Sequence, residues 1–116
     1  MESMVVFYPC LDIEKTSRFY EETIGLTCCQ DQGSCRIFDT GYGYLGFCEY
    51  DDHVLATRTC ISFNLKSVEA VNKKYIEMKA KQIAGLTQPQ KHPKFAVYSF
   101  FMKDPNGYTL EFQKIL

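Results

Sequence analysis

The residue with the clearest potential for chemistry is Glu111, close to the end of the chain. It follows an Asp-Pro-Asn-Gly turn at 104–107, in which proline presets a turn backbone and Asn-Gly tolerates the positive φ of a tight hairpin. In the strand that leaves the turn, Tyr108, Leu110 and Phe112 share one face, and Glu111 lies on the other. Such a carboxylate is either solvated or placed in a cavity, where it acts as a general base or accepts a hydrogen bond from a ligand's cation or hydroxyl.

The cysteine thiols are the second set of groups that could take part in chemistry. Cys28 and Cys29 are adjacent and would point to opposite faces of a strand, while Cys35 and Cys48 fall on the next two predicted strands and could approach one of them. A pair of thiols would suit a soft metal or an arsenical, whereas a buried cysteine more often packs as a small hydrophobe. No Cys-x-x-Cys pair recurs, so the spacing does not indicate zinc.

Composition narrows the classes of function. A chain of 116 residues is expected to form one domain, and its net charge of −1 argues against nucleic-acid or anionic-membrane partners. No apolar run approaches the length of a membrane span, and the first residues show no signal-peptide pattern, which favours the cytoplasm. In that compartment the six cysteines are expected to be reduced thiols. The two histidines, His53 and His92, are interpreted as surface-loop residues.

Two helices must position these groups. The first begins after Asp12, an N-cap residue type, and runs to Ile24, where Gly25 provides the stop. The second begins after Ser67 and ends near Ala80-Lys81. Strands are predicted at Met4–Pro9, Leu26–Gln30, Cys35–Phe38, Tyr44–Glu49, Thr59–Asn64, Gln82–Leu86, Ala96–Lys103 and Tyr108–Lys114.

The predicted elements repeat as β-α-β-β-β, twice, which indicates an α+β fold. Residue identities repeat as well, because Val5-x8-Glu14-x5-Tyr20 matches Cys60-x8-Glu69-x5-Tyr75. The two modules span residues 1–50 and 57–116, and the polar linker between them begins with Asp51-Asp52-His53.

The closing hairpin and the segment Leu11–Leu26, in which Phe-Tyr precedes a Gly-Leu helix stop, resemble the vicinal-oxygen-chelate superfamily. This superfamily includes glyoxalase I, fosfomycin and bleomycin resistance proteins and extradiol dioxygenases. The resemblance covers essentially the whole chain. It implies one glyoxalase/bleomycin-resistance-like domain over residues 1–116, with two βαβββ modules forming a curved, half-open barrel of mixed sheet. It also implies a homodimer, since relatives of this size usually pair.

The family's divalent metal is held by His or Glu side chains on equivalent strands of the two modules. Carried onto this chain, its ligand positions fall on Val5, Cys60 and Glu111, with a fourth near Gly46 or Phe47. Glu49 lies close to the fourth position but is offset from it. Since Val5 cannot bind metal and a thiol is an unusual substitute, the resemblance implies no complete metal centre and no expected cofactor. Zn, Ni, Mn or Fe bound through Glu111, Cys60 and a third ligand remains an alternative.

A small-molecule cavity is also expected. By strand register, Val5 and Phe7 share a face, as do Cys60 and Ser62, and the resemblance groups these residues with Glu111 around one largely apolar pocket. Phe38, Phe47, Tyr98 and Phe100 are further candidates whose faces the sequence leaves open.

Three functions therefore compete. The leading one is metal-free binding of a small, flat aromatic or apolar molecule. The second is a metal-dependent lyase, thiol transferase or dioxygenase of the same superfamily, and the third is a thiol-based binder of soft metals or arsenicals.

Overall fold

Each half of the chain folds as a strand, a helix and three further strands in the computed structural model, which describes residues 1–116. The halves form two compact units, Met1–Arg58 and Thr59–Leu116. The first contains β1 (Val5–Cys10), α1 (Ile13–Arg18) continued by a π-helical segment (Phe19–Ile24), β2 (Thr27–Asp31), β3 (Cys35–Asp39) and β4 (Tyr44–Glu49). The second contains β5 (Cys60–Asn64), α2 (Val68–Ala80), β6 (Gln90–Lys91), β7 (Val97–Lys103) and β8 (Thr109–Ile115).

The two sheets have the same topology. Their strand orders are β1-β4-β3-β2 and β5-β8-β7-β6, and in each sheet the first pair is parallel and the others are antiparallel. The predicted α+β class and the repeated β-α-β-β-β order are confirmed. The sheets are two separate four-stranded mixed sheets and do not close into a barrel.

The helix boundaries follow the capping residues that the sequence indicated. The side chain of Asp12 accepts a hydrogen bond from the Lys15 amide at 3.0 Å, and that of Ser67 accepts one from Ala70 at 3.0 Å. Gly25 ends the first helix with φ +89°, a conformation that most side chains avoid. Neither helix is long and apolar enough to cross a membrane.

The helix-facing side of each sheet forms the core of its unit. In the first unit, Tyr20 stacks on Phe47 with ring centroids 4.5 Å apart, and both are fully buried. In the second unit, Phe100 and Phe112 stack at 5.4 Å, and Val71 and Met78 are fully buried. The opposite face of each sheet carries a groove.

One predicted strand is wrong. Residues 82–86 are not a strand, and the sixth strand is the short Gln90–Lys91. Gly85 adopts φ +68°, which interrupts an extended backbone. The segment still follows the edge of β7 through two isolated hydrogen bonds, from the Lys103 amide to the Ala84 carbonyl and from the Thr87 amide to the Phe101 carbonyl, each 2.9 Å long.

Candidate functional site

Glu111 lies on the face of the second sheet that points away from α2. It is paired with Ser62 across β5 and β8, and with Phe101 across β7 and β8. Cys60 precedes Ser62 by two residues on β5 and therefore shares that face. The structure thus brings together three of the predicted site residues, Cys60, Ser62 and Glu111.

These three side chains form a hydrogen-bonded row. The Ser62 hydroxyl donates to Glu111 Oε1 at 2.5 Å, and Cys60 Sγ lies 3.6 Å from Ser62 Oγ. Because a serine hydroxyl has one proton and Glu111 receives it, the Cys60 thiol is the donor to Ser62. Glu111 is only 8% exposed, whereas Ser62 and Cys60 are exposed. The row therefore runs from solvent to a buried carboxylate.

A groove of about 280 Å³ opens beside Glu111. Its other lining residues are His92, Phe95, Val97, Phe101 and Gln113. Most of the groove wall is apolar, and Glu111 is its one acidic residue. A molecule with a flat apolar part and one hydrogen-bond donor matches this combination.

His92 is a groove residue that sequence reasoning missed. It does lie in a loop, as predicted, but it is half-buried, and its Nδ1 accepts hydrogen bonds from the Lys94 and Phe95 amides at 3.0 and 3.1 Å. Its ring also packs on Phe95 with centroids 4.7 Å apart. In the neutral ring this arrangement leaves the proton on Nε2, as a donor. The Lys-His-Pro-Lys-Phe sequence gave no signal for this turn.

Tyr98, Phe100 and Phe47 lie elsewhere. Tyr98 donates from its hydroxyl to Asn72 Oδ1 on α2 at 2.6 Å, and Phe100 is fully buried between Tyr75 and Phe112. Phe47 is in the core of the first unit. The structure therefore does not place these three predicted binding residues on the groove faces, because the register of each strand turns them towards a helix. Phe38 is also fully buried, and it packs against Phe47 in the core of the first unit.

Val5 and Phe7 lie on the face of the first sheet that carries no helix, and Phe7 is paired with Gly46 across β1 and β4. By the repeat, this pair corresponds to Ser62 and Glu111 in the second sheet. The Phe7 ring covers Gly46 so closely that a Cβ there would lie 2.5 Å from Phe7 Cδ1. Where the second sheet has a hydrogen-bonded acid, the first sheet has an aromatic ring.

The residues present do not fit the family's divalent metal. Of its ligand positions, Val5 and Gly46 offer no donor atom, and the chain has no group of three or more His, Cys, Asp and Glu side chains that could hold a metal ion. Glu49, the offset alternative, accepts a hydrogen bond from the Ile13 amide at 2.8 Å, at the start of α1. The Glu49 carboxylate is therefore already hydrogen-bonded at the N-terminus of α1.

The expectation of six reduced thiols is wrong for one pair. Cys35 and Cys48 lie directly opposite each other on β3 and β4 and form a disulfide. Sequence reasoning placed them on neighbouring strands but did not pair them, because register is decided by the hairpin between the strands. The other four cysteines form no disulfide, and partial burial raises the pKa of Cys28.

Comparison with known proteins agrees with the repeated topology. A model of the Glyoxalase/Bleomycin resistance protein/Dioxygenase superfamily matches residues 5–112. The chain belongs to this superfamily. A comparison with curated protein sequences found no match.

Several solved structures share the fold at low sequence identity. A lactoylglutathione lyase from Agrobacterium tumefaciens has a TM-score of 0.80 and 18% identity, with 96% of this chain and 91% of that chain covered. The integron cassette protein HFX_CASS4 from Halifax Harbour sewage outfall has a TM-score of 0.81 and 21% identity, with 97% of each chain covered. The fosfomycin resistance protein FosX from Listeria monocytogenes has a TM-score of 0.74 and 16% identity, with 98% and 91% covered. Identities this low establish the fold alone.

Proposed function

We propose that the protein binds a small, flat aromatic or apolar molecule in the groove beside Glu111, without a complete metal centre. The observation that carries the proposal is the burial of Glu111, 8% exposed, at the edge of a largely apolar groove. A carboxylate in such a place loses hydration and gains from any ligand donor that replaces it. Ser62 supplies a hydrogen bond to one carboxylate oxygen, Oε1.

The ligand class follows from the chemistry of the groove. Phe95, Val97 and Phe101 offer an apolar wall for a ring, and Glu111 offers an acceptor for an ammonium or hydroxyl group. A volume of about 280 Å³ suits a single substituted ring rather than a large ligand. A cationic donor should bind more tightly than a neutral one, since hydrogen bonds to charged partners are stronger.

Three probes of equal size test this chemistry: benzylamine, benzyl alcohol and ethylbenzene. We expect affinities, measured by titration calorimetry or ligand-observed NMR, to fall in that order. Glu111→Gln keeps the shape but removes the charge, and should weaken benzylamine binding by about 10- to 100-fold, which corresponds to roughly 1.5–3 kcal/mol. Ethylbenzene binding should change little. Unaltered benzylamine binding by Glu111→Gln would refute the proposal.

Two controls make the result specific. Glu2→Gln removes the same charge from an exposed residue near the N-terminus and should leave all three affinities unchanged. Phe101→Ala shortens the apolar wall and should weaken all three probes together. Circular dichroism of each variant checks that the fold is retained.

We further propose that the protein works as a homodimer in the cytoplasm, as its resemblance to small superfamily members suggested. Light scattering coupled to gel filtration would give the mass of the assembly. A lyase, thiol transferase or dioxygenase function through a divalent metal is the alternative within the superfamily. It is less favoured because only Cys60 and Glu111, of the family's ligand positions, bear donor atoms.

A further inference from the structure

A second site lies in the first unit, at the disulfide between Cys35 and Cys48. The two residues are directly opposite in the β3–β4 ladder, with their Cα atoms 4.1 Å apart. The neighbouring pair carries a backbone hydrogen bond, from the Glu49 amide to the Ser34 carbonyl at 2.8 Å. Cys35 and Cys48 therefore occupy a non-hydrogen-bonded position, where facing side chains of antiparallel strands come closest.

The strands do not depend on the sulfur–sulfur bond for their pairing. The ladder continues from Cys35 to Asp39 on β3 and from Tyr44 to Cys48 on β4. When the bond is reduced, this ladder still holds the two thiols face to face. A preorganised pair of this kind closes and opens without rearrangement of the sheet.

The pair is also open to small molecules. Both cysteines line a groove of about 290 Å³, together with Phe7, Gln32, Ile37 and Tyr50. Cys35 is partly exposed in this groove, whereas Cys48 is 4% exposed. Reagents therefore reach Cys35 first, and the largely apolar wall favours uncharged ones.

No other pair of cysteines has this arrangement. Cys10 is buried, and the thiols of Cys28 and Cys29 donate to the backbone carbonyls of Gln30 and Ile37. Cys60 is on the second sheet, beside Ser62. Only Cys35 and Cys48 combine an opposed partner with access from a groove.

We propose that Cys35 and Cys48 form a reversible dithiol/disulfide site that exchanges with small, uncharged organic disulfides in this groove. The Cys35 thiol loses its proton to solvent, and the thiolate attacks one sulfur of the small disulfide. A mixed disulfide forms, and the first small thiolate leaves and takes up a proton. Cys48, deprotonated in turn, attacks the Cys35 sulfur and expels the second small thiol. The protein loses two electrons, and the small disulfide is reduced to two thiols.

The probe is bis(2-hydroxyethyl) disulfide. Folded protein is reduced with dithiothreitol, desalted without oxygen, exposed to the probe and quenched with N-ethylmaleimide, and each cysteine is assigned by peptide mass spectrometry. The wild type should regain the Cys35–Cys48 bond with release of two molecules of 2-mercaptoethanol. Cys48→Ser should stop at a mixed disulfide on Cys35, and Cys35→Ser should leave Cys48 unmodified. Cys29→Ser is the matched control and should behave as the wild type.

Two outcomes in the wild type would overturn the proposal, so it does not depend on the variants folding. One is resistance of the Cys35–Cys48 bond to dithiothreitol in the folded protein, which would make it a permanent crosslink. The other is recovery of both residues as maleimide adducts while the exposed Cys29 has reacted with the probe. Neither result bears on ligand binding at Glu111, which is measured with other probes.

Discussion

Replacing Ser62 by alanine tests the physical basis of the Glu111 site. The substitution removes the hydroxyl that donates to Glu111 Oε1 and leaves the carboxylate, 8% exposed, without that partner. A hydrogen bond to a charged group contributes about 1.5–3 kcal/mol to stability. Ser62 is itself exposed, so water can enter beside the new methyl group and recover part of this energy. We therefore expect the free energy of unfolding to fall by about 1–2 kcal/mol.

In a chain of this size, each kcal/mol shifts the melting temperature by about 4 °C, which gives a decrease of roughly 4–8 °C. Urea denaturation followed by far-UV circular dichroism gives the free energy directly, and thermal melts provide the second readout. Ser62→Thr keeps the hydroxyl and suits a strand, so it should stay close to the wild type. Ser34→Ala, in an exposed turn, is the control for loss of a hydroxyl elsewhere.

A double-mutant cycle isolates the contact itself. Ser62→Ala and Glu111→Gln should be non-additive, since each removes part of the same hydrogen bond. If Ser62→Ala lowers the free energy of unfolding by less than about 0.5 kcal/mol, the position behaves like an ordinary surface residue, and the reasoning is refuted. An increase in stability would also refute the reasoning, because it would show that the carboxylate needs no donor from β5.

Three further predictions concern the turn, the second helix and metal. Asp104→Ala should lower the free energy of unfolding, measured in urea, by roughly 2–3 kcal/mol, because the buried Asp104 carboxylate accepts hydrogen bonds from the Asn106 and Tyr108 amides. Asp104→Asn should lose less stability than Asp104→Ala, and equal losses in the two variants would contradict the reasoning. Glu77 on α2 has a lowered pKa: partial burial acts to raise it, but the neighbouring Lys74 and Lys81 outweigh that effect. The contribution of Glu77 to the free energy of unfolding is therefore fully present above about pH 4.3, the value in the unfolded chain, and is lost as the pH falls through the lower folded value. Lys74→Gln should therefore be less stable than the wild type near neutral pH, and the difference should narrow in acid, where the contact of Lys74 with the Phe112 ring still remains. A difference that does not change with pH would contradict this. Adding Zn, Ni, Mn or Fe in turn should not raise the melting temperature of the protein. Binding of stoichiometric metal, detected by mass spectrometry, would contradict the conclusion that the family's metal ligands are incomplete in this chain.

Local sequence signals predicted the elements well where one residue decides a boundary. Asp12 and Ser67 precede the first residues of their helices and Gly25 ends the first helix, as expected. Capping could be predicted because it depends on backbone groups only a few residues away. The prediction for residues 82–86 failed because Gly85 adopts a left-handed conformation beside β7. A glycine permits that conformation without requiring it, so the sequence could not distinguish the two outcomes.

The site was predictable only in part. Alternation along β8 is local, so the sequence already separated Glu111 from Leu110 and Phe112, whereas the pairing of Glu111 with Ser62 depends on the register of β5 and β8. Tyr98 and Phe100 could not be assigned in advance, since a one-residue change of register exchanges the two faces of a strand. The disulfide depends on the same register, because only the β3–β4 ladder sets Cys35 opposite Cys48.

The sequence by itself determined the repeated order of strands and helices, the helix ends and the presence of a carboxylate in the closing strand. These features follow from short-range effects: side-chain alternation, capping and turn chemistry. The tertiary structure alone decided what each side chain faces. It placed a serine against Glu111 and the Phe7 ring over Gly46, at corresponding positions of the two sheets. Such contacts join residues far apart in the chain, and their geometry exists only once the strands have paired.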